Sequence, residues 1–379
     1  MRMPIYTLLV SIITLSVSTN TLADKKVVCY VADWTAWRSG PGKFDIDNVD
    51  TNLCTHVIYA FVDLTGDSGI TAPARGADGL DKLRNLKNSN PNVNIMVAVG
   101  GWSEASTKFS PLASNAASRG QFVQNVINFM NEWNLDGLDI DWEYPTQRDG
   151  STPEDVDNYV ALVRDLKEGF STQQKNYQLS AAVSAGIGTA SQAYRINEIS
   201  QYLDFINLMA YDFHGSWESQ TGMHSGLYGN DQLTVDAAVS YWLDQGCPPD
   251  KLVVGVPLYG KSWTLADPNN NGVGAPASGA GDPGEFSQAA GSLCYYEICQ
   301  KISNEGWNLQ LDDTSKTPYA FNGNQWVSFD NVQSINEKVQ YIKNRQLGGG
   351  MVWAIDNDDT TGICGERYPL LTALNEVRR

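Results

Sequence analysis

The sequence predicts an α/β protein, a (β/α)8 TIM barrel with a small α+β insertion after the seventh strand. Two observations carry this. Eight short runs rich in Val, Ile, Leu and Ala punctuate the chain, with amphipathic helical patterns between many of them. One long stretch between the seventh and eighth runs breaks that rhythm. The strand-like runs are 27–32, 56–62, 94–99, 137–142, 178–183, 205–209, 252–256 and 350–355. Between them, Phe122, Val126, Phe129 and Trp133 recur at helical spacing, as do Val160, Val163, Leu166 and Phe170. Segments 235–243 and 332–342 behave alike. Strands alternating with helices make parallel β units, and eight of them suggest a closed barrel. Counting alone leaves a doubly wound sheet open. A length of 379 residues would suggest two domains, but barrels run long as one.

The break in the rhythm spans about 264–329. It holds a Gly/Pro/Ala/Asn-rich loop from Asp267 to Gly284, then Tyr295-Tyr296-Glu297-Ile298 and two strand-like aromatic runs, 319–321 and 325–327. Its aromatic content argues for a folded lobe rather than a disordered loop. At the N-terminus, Arg2, the apolar run 5–17 and Thr21-Leu22-Ala23 predict a signal peptide over 1–23, leaving 24–379 as the catalytic barrel and its insertion. That apolar run is short for a membrane span, and no Asn-x-Ser/Thr sequon occurs.

The formal charge is −17, from 43 acidic and 26 basic residues. Such a balance argues against nucleic acid and anionic membranes as partners. All six Cys lie beyond Ala23, and an even count in an exported chain suggests disulfides. No C-x-x-C pair occurs and the three His are scattered, so no metal and no cofactor is expected.

The chemistry sits on the fourth strand, Asp136-Gly137-Leu138-Asp139-Ile140-Asp141-Trp142-Glu143-Tyr144-Pro145. Side chains alternate faces along a strand. Leu138, Ile140 and Trp142 must face the helices, so Asp139, Asp141 and Glu143 line the barrel interior. Neighbouring inward positions are about 6.7 Å apart. Two charges there repel by roughly 2.5 kcal/mol at an effective dielectric near 20, or about 2 pKa units. Burial pushes the same way. The row should keep at least one proton near neutral pH, as glycosidic cleavage requires. Glu143, nearest the C-terminal end where barrel active sites open, is the natural proton donor. A solvent-exposed acidic strand fits the strict apolar alternation poorly, and a Ca²⁺ site is the weaker alternative.

This strand resembles the D-x-x-D-x-D-x-E signature of family 18 glycoside hydrolases, the chitinase family. The resemblance extends over essentially the whole mature chain. Val28-Cys29-Tyr30, Ile58-Tyr59-Ala60-Phe61, Gly100-Gly101-Trp102, Met209-Ala210-Tyr211-Asp212, Phe213-His214-Gly215-Ser216-Trp217, Tyr259-Gly260 and Met351-Val352-Trp353-Ala354 all resemble its other strand-end motifs. Ala98 stands where a Ser often precedes the third motif, and Lys261 where many relatives carry Arg, which costs the bidentate fork. The resemblance implies substrate-assisted, retaining hydrolysis of chitin or chitooligosaccharides by a secreted monomer. Glu143 would be the acid, Asp141 the partner of the 2-acetamido N–H, and Asp139 a proton-sharing neighbour. Tyr211 would donate to the acetamido oxygen, Asp212 would bind the same sugar, and Asp136 would support the charge network from outside the row. Trp353 would floor the cleaved sugar, and Trp34, Trp102 and Trp217 would stack on its neighbours. Tyr30, Phe61, Met209, Tyr259 and Gly101 would complete the cleft, whereas Trp133 and Trp142 read as core. His214 reads as a structural hydrogen-bonder and His56 as core, with His224 unassigned. The resemblance also implies Cys29–Cys54 and Cys299–Cys364 pairs. Cys247 and Cys294 are left over, and a bridge between them, from the end of the sixth helix to the insertion, is an expectation from the even count alone.

Two alternatives keep the barrel: a chitin-binding lectin that has lost activity, and an endo-β-N-acetylglucosaminidase acting on N-glycans. The intact acidic motif opposes the first, and the insertion and Trp row oppose the second. A Schiff-base aldolase lacks a clear strand Lys. With no binding module appended, weaker action on crystalline chitin than on soluble oligomers is expected.

Overall fold

The computed structural model describes residues 25–73 and 76–379, so the expected leader over 1–23 lies outside the described residues. Lys26–Ala32 pairs with His56–Leu64 on one side and with Gly349–Trp353 on the other. Asn94–Gly100, Gly137–Asp141, Gln178–Ser184, Phe205–Met209 and Leu252–Pro257 complete the ring, every barrel pairing parallel, and the barrel closes. Helices Ala116–Glu132, Asp155–Ser171, Val235–Asp244 and Val332–Asn344 stand where helical spacing places them. Three of these four begin on a side-chain cap: Asn115, Thr234 and Asn331 each accept a backbone N–H of the first turn. Such caps contribute about 1 kcal/mol each.

Alternation splits the apolar residues into two cores. Val27, Val57, Val97, Leu138, Ile140 and Trp142 belong to the large cluster between strands and helices. Val28, Tyr30, Ile58, Met96, Phe205 and Met351 fill the barrel interior. Trp142 settles which way the fourth strand faces. It is buried, stacks on Phe109 at 5.2 Å and donates its indole N–H to Ser106 Oγ at 2.8 Å. His56 is core as well. Its ring contacts Thr55 Oγ1 at 2.7 Å and Gln178 Oε1 at 2.9 Å, and burial lowers its pKa to about 4.

A second sheet is antiparallel and mixed with one helix, Tyr295–Asn304. Its first strand, Tyr259–Leu265, follows the seventh barrel strand after the single residue Leu258. Tyr259 and Lys261 therefore belong to this lobe and to the mouth of the barrel. Trp263 and Trp326 form its core, edge to face at 5.3 Å.

Cys29–Cys54 and Cys299–Cys364 are disulfide-bonded, whereas Cys247 and Cys294 are free and buried. The bridge expected between the latter two is absent for a reason of placement. Cys247 precedes the seventh strand, at the N-terminal end of the barrel. Cys294 pairs with Tyr259, beyond the strand's C-terminal end. A six-residue strand, about 20 Å long, separates the two ends. Thiol titration in guanidinium should find two free thiols per chain, and native protein should react slowly because both are buried. Finding no free thiol would restore the bridge.

Candidate active site

Strand geometry aims three carboxylates into the barrel, and the elements around them treat each differently. Asp139 is fully buried and surrounded by donors. Tyr30 OH donates to Oδ2 at 2.7 Å, Ser180 Oγ to Oδ1 at 2.5 Å, and Asn207 Nδ2 to Oδ1 at 3.2 Å. Asn207 Nδ2 also donates to the Tyr30 hydroxyl at 3.0 Å. Burial raises the Asp139 pKa to about 6, and these hydrogen bonds hold it from going higher. Asp141 has no such cradle. Its buried Oδ1 has no hydrogen-bond partner, and burial, with the Glu143 and Asp139 charges adding to it, raises its pKa well above the usual range. Hydrogen-bond donors stabilise the charged form of an acid, so Asp139 is the better anion and Asp141 the better proton holder. No hydrogen bond joins the two carboxyl groups; Asp139 is oriented by Tyr30, Ser180 and Asn207 instead.

Glu143 lies two residues beyond the strand end, at the barrel mouth. Burial pushes its carboxyl up to about 7. The Tyr144 hydrogen bond and the Arg148 charge pull it down, while Asp212 adds to the rise. A carboxyl with that pKa is protonated in a large fraction of molecules at neutral pH.

The backbone closes tightly beneath this row. Gly101 N–H donates to Asp141 O at 2.7 Å, and Gly100 and Gly101 hold φ of +114° and +86°. A Cβ at Gly101 would meet the Phe61 ring at 2.6 Å, and one at Gly100 would meet Asp141 O at 2.1 Å. Only glycine lets the third strand end so close to both.

The carboxylates open into two adjoining cavities. One, of about 340 Å³, is lined by Tyr30, Trp34, Phe61, Gly101, Asp141, Ala182, Tyr259 and Trp353 among others. The other, of about 740 Å³, is lined by Tyr144, Ser184, Phe213, Trp217, Leu233 and Lys261 among others. Trp102, Glu143, Met209, Tyr211 and Asp212 line both. The floor of the smaller cavity is aromatic. Trp353 meets Tyr30 edge to face at 5.5 Å and lies 5.9 Å from Phe61, and Trp34 stacks on Phe61 at 6.5 Å. Trp102 and Trp217 are 62% and 64% exposed, although core packing is the usual fate of so large an apolar ring.

Asp212 forms part of the wall. It accepts from the Tyr259 hydroxyl at 2.6 Å and pairs with Lys261 Nζ at 3.1 Å. Burial alone would raise its pKa, but His224, Lys261 and Tyr259 outweigh that and leave it below the usual value. Lys261 keeps the charge of an Arg at this place and sits over the Tyr259 and Trp217 rings, 5.3 and 5.7 Å from their centroids. His214 contacts Glu218 at 2.9 Å. Asp136 is placed differently from the rest. At the N-terminal end of the fourth strand it pairs with Lys87 at 2.6 Å and Lys175 at 3.0 Å and accepts the Ile95 N–H. It lines neither cavity.

The family model for glycosyl hydrolases family 18 matches residues 26–358. The chain belongs to that family. An endochitinase of Manduca sexta is 37% identical over 395 residues, covering 99% of this chain and 71% of the relative. The structure of an Ostrinia furnacalis Group IV chitinase in complex with allosamidin aligns with a TM-score of 0.90 at 40% identity, over 93% of this chain and 98% of that one. Human YKL-39, a pseudo-chitinase with retained chitooligosaccharide binding, aligns at 0.87 and 37% identity over 93% and 99% of the two chains. The chain is thus similar both to chitinases and to a pseudo-chitinase with retained chitooligosaccharide binding.

Sequence reasoning missed Ser180, Asn207, His224 and Arg148. The first two were accessible. Ser180 and Asn207 are polar residues at axis-facing positions of the next two strands, Ser180 in register with Asp139. The other two lie in irregular backbone, where no periodicity marks a side chain's direction.

Glu143 binds its proton more tightly in the folded chain than in the unfolded one. Its contribution to stability is therefore full below about pH 4 and is lost as pH rises through about 7. Glu143→Gln should gain about 1–3 kcal/mol over wild type in urea unfolding between about pH 4 and pH 7.5. Parallel pH dependence in the two proteins would show that Glu143 is unperturbed.

Proposed function

We propose that the chain is a secreted chitinase that hydrolyses the β-1,4 links between N-acetylglucosamine units of chitin and its oligomers by substrate-assisted retaining catalysis. The observation that carries this reading is the unpartnered, buried Asp141 Oδ1 beside a Glu143 whose carboxyl is pushed to about 7, in a cavity floored by Trp353. A buried acceptor without a partner costs about 1–3 kcal/mol unless a ligand supplies the donor. The 2-acetamido N–H of a sugar lying on Trp353 is such a donor.

In the proposed reaction Glu143 gives its proton to the glycosidic oxygen as the C1–O bond breaks. The acetamido oxygen of the same sugar attacks C1 from the opposite face and forms an oxazolinium ring. Asp141 accepts the acetamido N–H and offsets the positive charge that develops there. Tyr211 donates a hydrogen bond to the acetamido oxygen and aims it at C1. Asp139, held by Tyr30, Ser180 and Asn207, acts on Asp141 through its charge, which raises the proton affinity of its neighbour. Water then adds to C1 from the face the leaving sugar vacated, and Glu143, now a carboxylate, takes its proton. No protein carboxylate bonds to the sugar, unlike in the two-carboxylate scheme. Asp212 binds the same sugar, and Trp34, Trp102 and Trp217 offer flat apolar area to flanking rings. Two disulfides and the leader-like N-terminus support an exported protein.

Wild type should hydrolyse chitooligosaccharides to the β-anomer, read by proton NMR during turnover. Glu143→Gln should lose about 10²- to 10⁴-fold in kcat and keep its oligomer affinity. Tight binding without turnover by wild type would make the protein a binder of the YKL-39 kind. Release of N-glycans in place of chitooligosaccharide cleavage would change the substrate class.

A further inference from the structure

Trp102 is a large apolar side chain left 62% exposed at the junction of the two cavities. A free indole at such a place would sample several rotamers, and a sugar binding to it would have to select one. Its position is fixed by a residue from another loop. Arg148 Cζ lies 3.7 Å from the Trp102 ring centroid, well inside cation–π range. The same guanidinium donates through Nη1 to Trp102 O and, at 3.2 Å, to Glu143 O. Arg148 holds φ of +65°, a conformation uncommon for a residue with a Cβ, so its loop is built to deliver the side chain there. The loop is itself pinned: Ser106 Oγ donates to Tyr144 O and Gln147 O, and Ser106 N–H to Asp149 O.

We propose that Arg148 is a positioning residue of the cleft, covering one face of Trp102 and tying that platform to the backbone of Glu143, so that the other face is presented to the sugars meeting at the bond to be cut. This rests on the hydrolysis proposed above. It deepens that reading by coupling a sugar platform to the proton donor through one side chain. Arg148 also acts on the donor electrically. The groups that bear on the Glu143 carboxyl are Tyr144, Arg148, Asp212 and Asp141, with Tyr194, Tyr211 and Tyr259 around them, and Arg148 is the only cation among these. Its charge favours the carboxylate and so opposes the effect of burial. Arg, not Lys, suits this place, because a planar fork can cover an indole while its N–H groups reach two carbonyls.

The experiment is steady-state kinetics on chitooligosaccharides against pH for wild type, Arg148→Leu, Arg148→Lys and Trp102→Ala, with melting curves as a folding control. A general acid must be protonated to act, so activity falls as pH passes its pKa. Arg148→Leu should raise KM about three- to tenfold and move the alkaline limb up by roughly 0.3–1 pH unit. Arg148→Lys should keep the wild-type limb while KM stays raised. In the Trp102→Ala background, Arg148→Lys should no longer change KM. Wild-type KM and limb in both Arg148 variants would overturn the proposal. So would equal losses of kcat with KM and limb unchanged, or additive KM effects in the double variant. If wild type turns nothing over, the hydrolysis reading fails by itself. Calorimetric Kd values for the same oligomers then test the platform: weaker binding by Arg148→Leu supports it, and unchanged binding overturns it.

Discussion

Burying acids in a row is the constraint from which the rest of the site follows. Leu138, Ile140 and Trp142 need the helix-side core, and a strand's period of two then sends Asp139, Asp141 and Glu143 inward. Nothing in a closed barrel allows the strand to turn over, because parallel neighbours on both sides fix its register. The chain accommodates the charges by grading their surroundings. Asp139 is given donors from Tyr30, Ser180 and Asn207, Asp141 is left with an empty acceptor, and Glu143 is set at the mouth within reach of solvent and Arg148. Three identical functional groups thus acquire three different proton affinities.

The same logic explains what lies at the other end of the strand. Asp136 lies just before the strand, three residues ahead of Asp139 and outside the barrel interior, and is neutralised by Lys87 and Lys175. Charge at the base is paired with lysines, whereas among the described residues Asp141 and Glu143 have no lysine beside them. The insertion sheet adds its own contribution at the mouth. Tyr259 and Lys261 come from its first strand and hold Asp212, so the lobe's packing on Trp263 and Trp326 is what keeps that wall in place.

How much of this could be read from the chain depends on periodicity. The eight strands, the direction of the acidic row and the core role of Trp142 follow from alternation, and the structure places them accordingly. The cleft aromatics Trp34, Trp102, Trp217 and Trp353 followed from position after strand ends, aided by resemblance. The resemblance implied a place for Asp136 in the charge network from outside the row, and the structure sets it a strand's length from the mouth, paired with Lys87 and Lys175. Cys247 and Cys294 were paired by parity, and parity knows nothing of which end of a barrel a residue occupies. Arg148 and His224 were illegible, since a turn with positive φ and a buried loop carry no repeating pattern that says where a side chain points.

The central claim is that this row holds a proton at neutral pH because it is buried. Difference infrared spectroscopy on protein labelled with ¹³C at Asp and Glu carboxyls would test it without substrate. The account predicts a protonated-carboxyl C=O band that persists at about pH 6 and contains a component that titrates through about pH 7 and is lost in Glu143→Gln. A spectrum in which every carboxyl is already ionised at about pH 5.5 would contradict it.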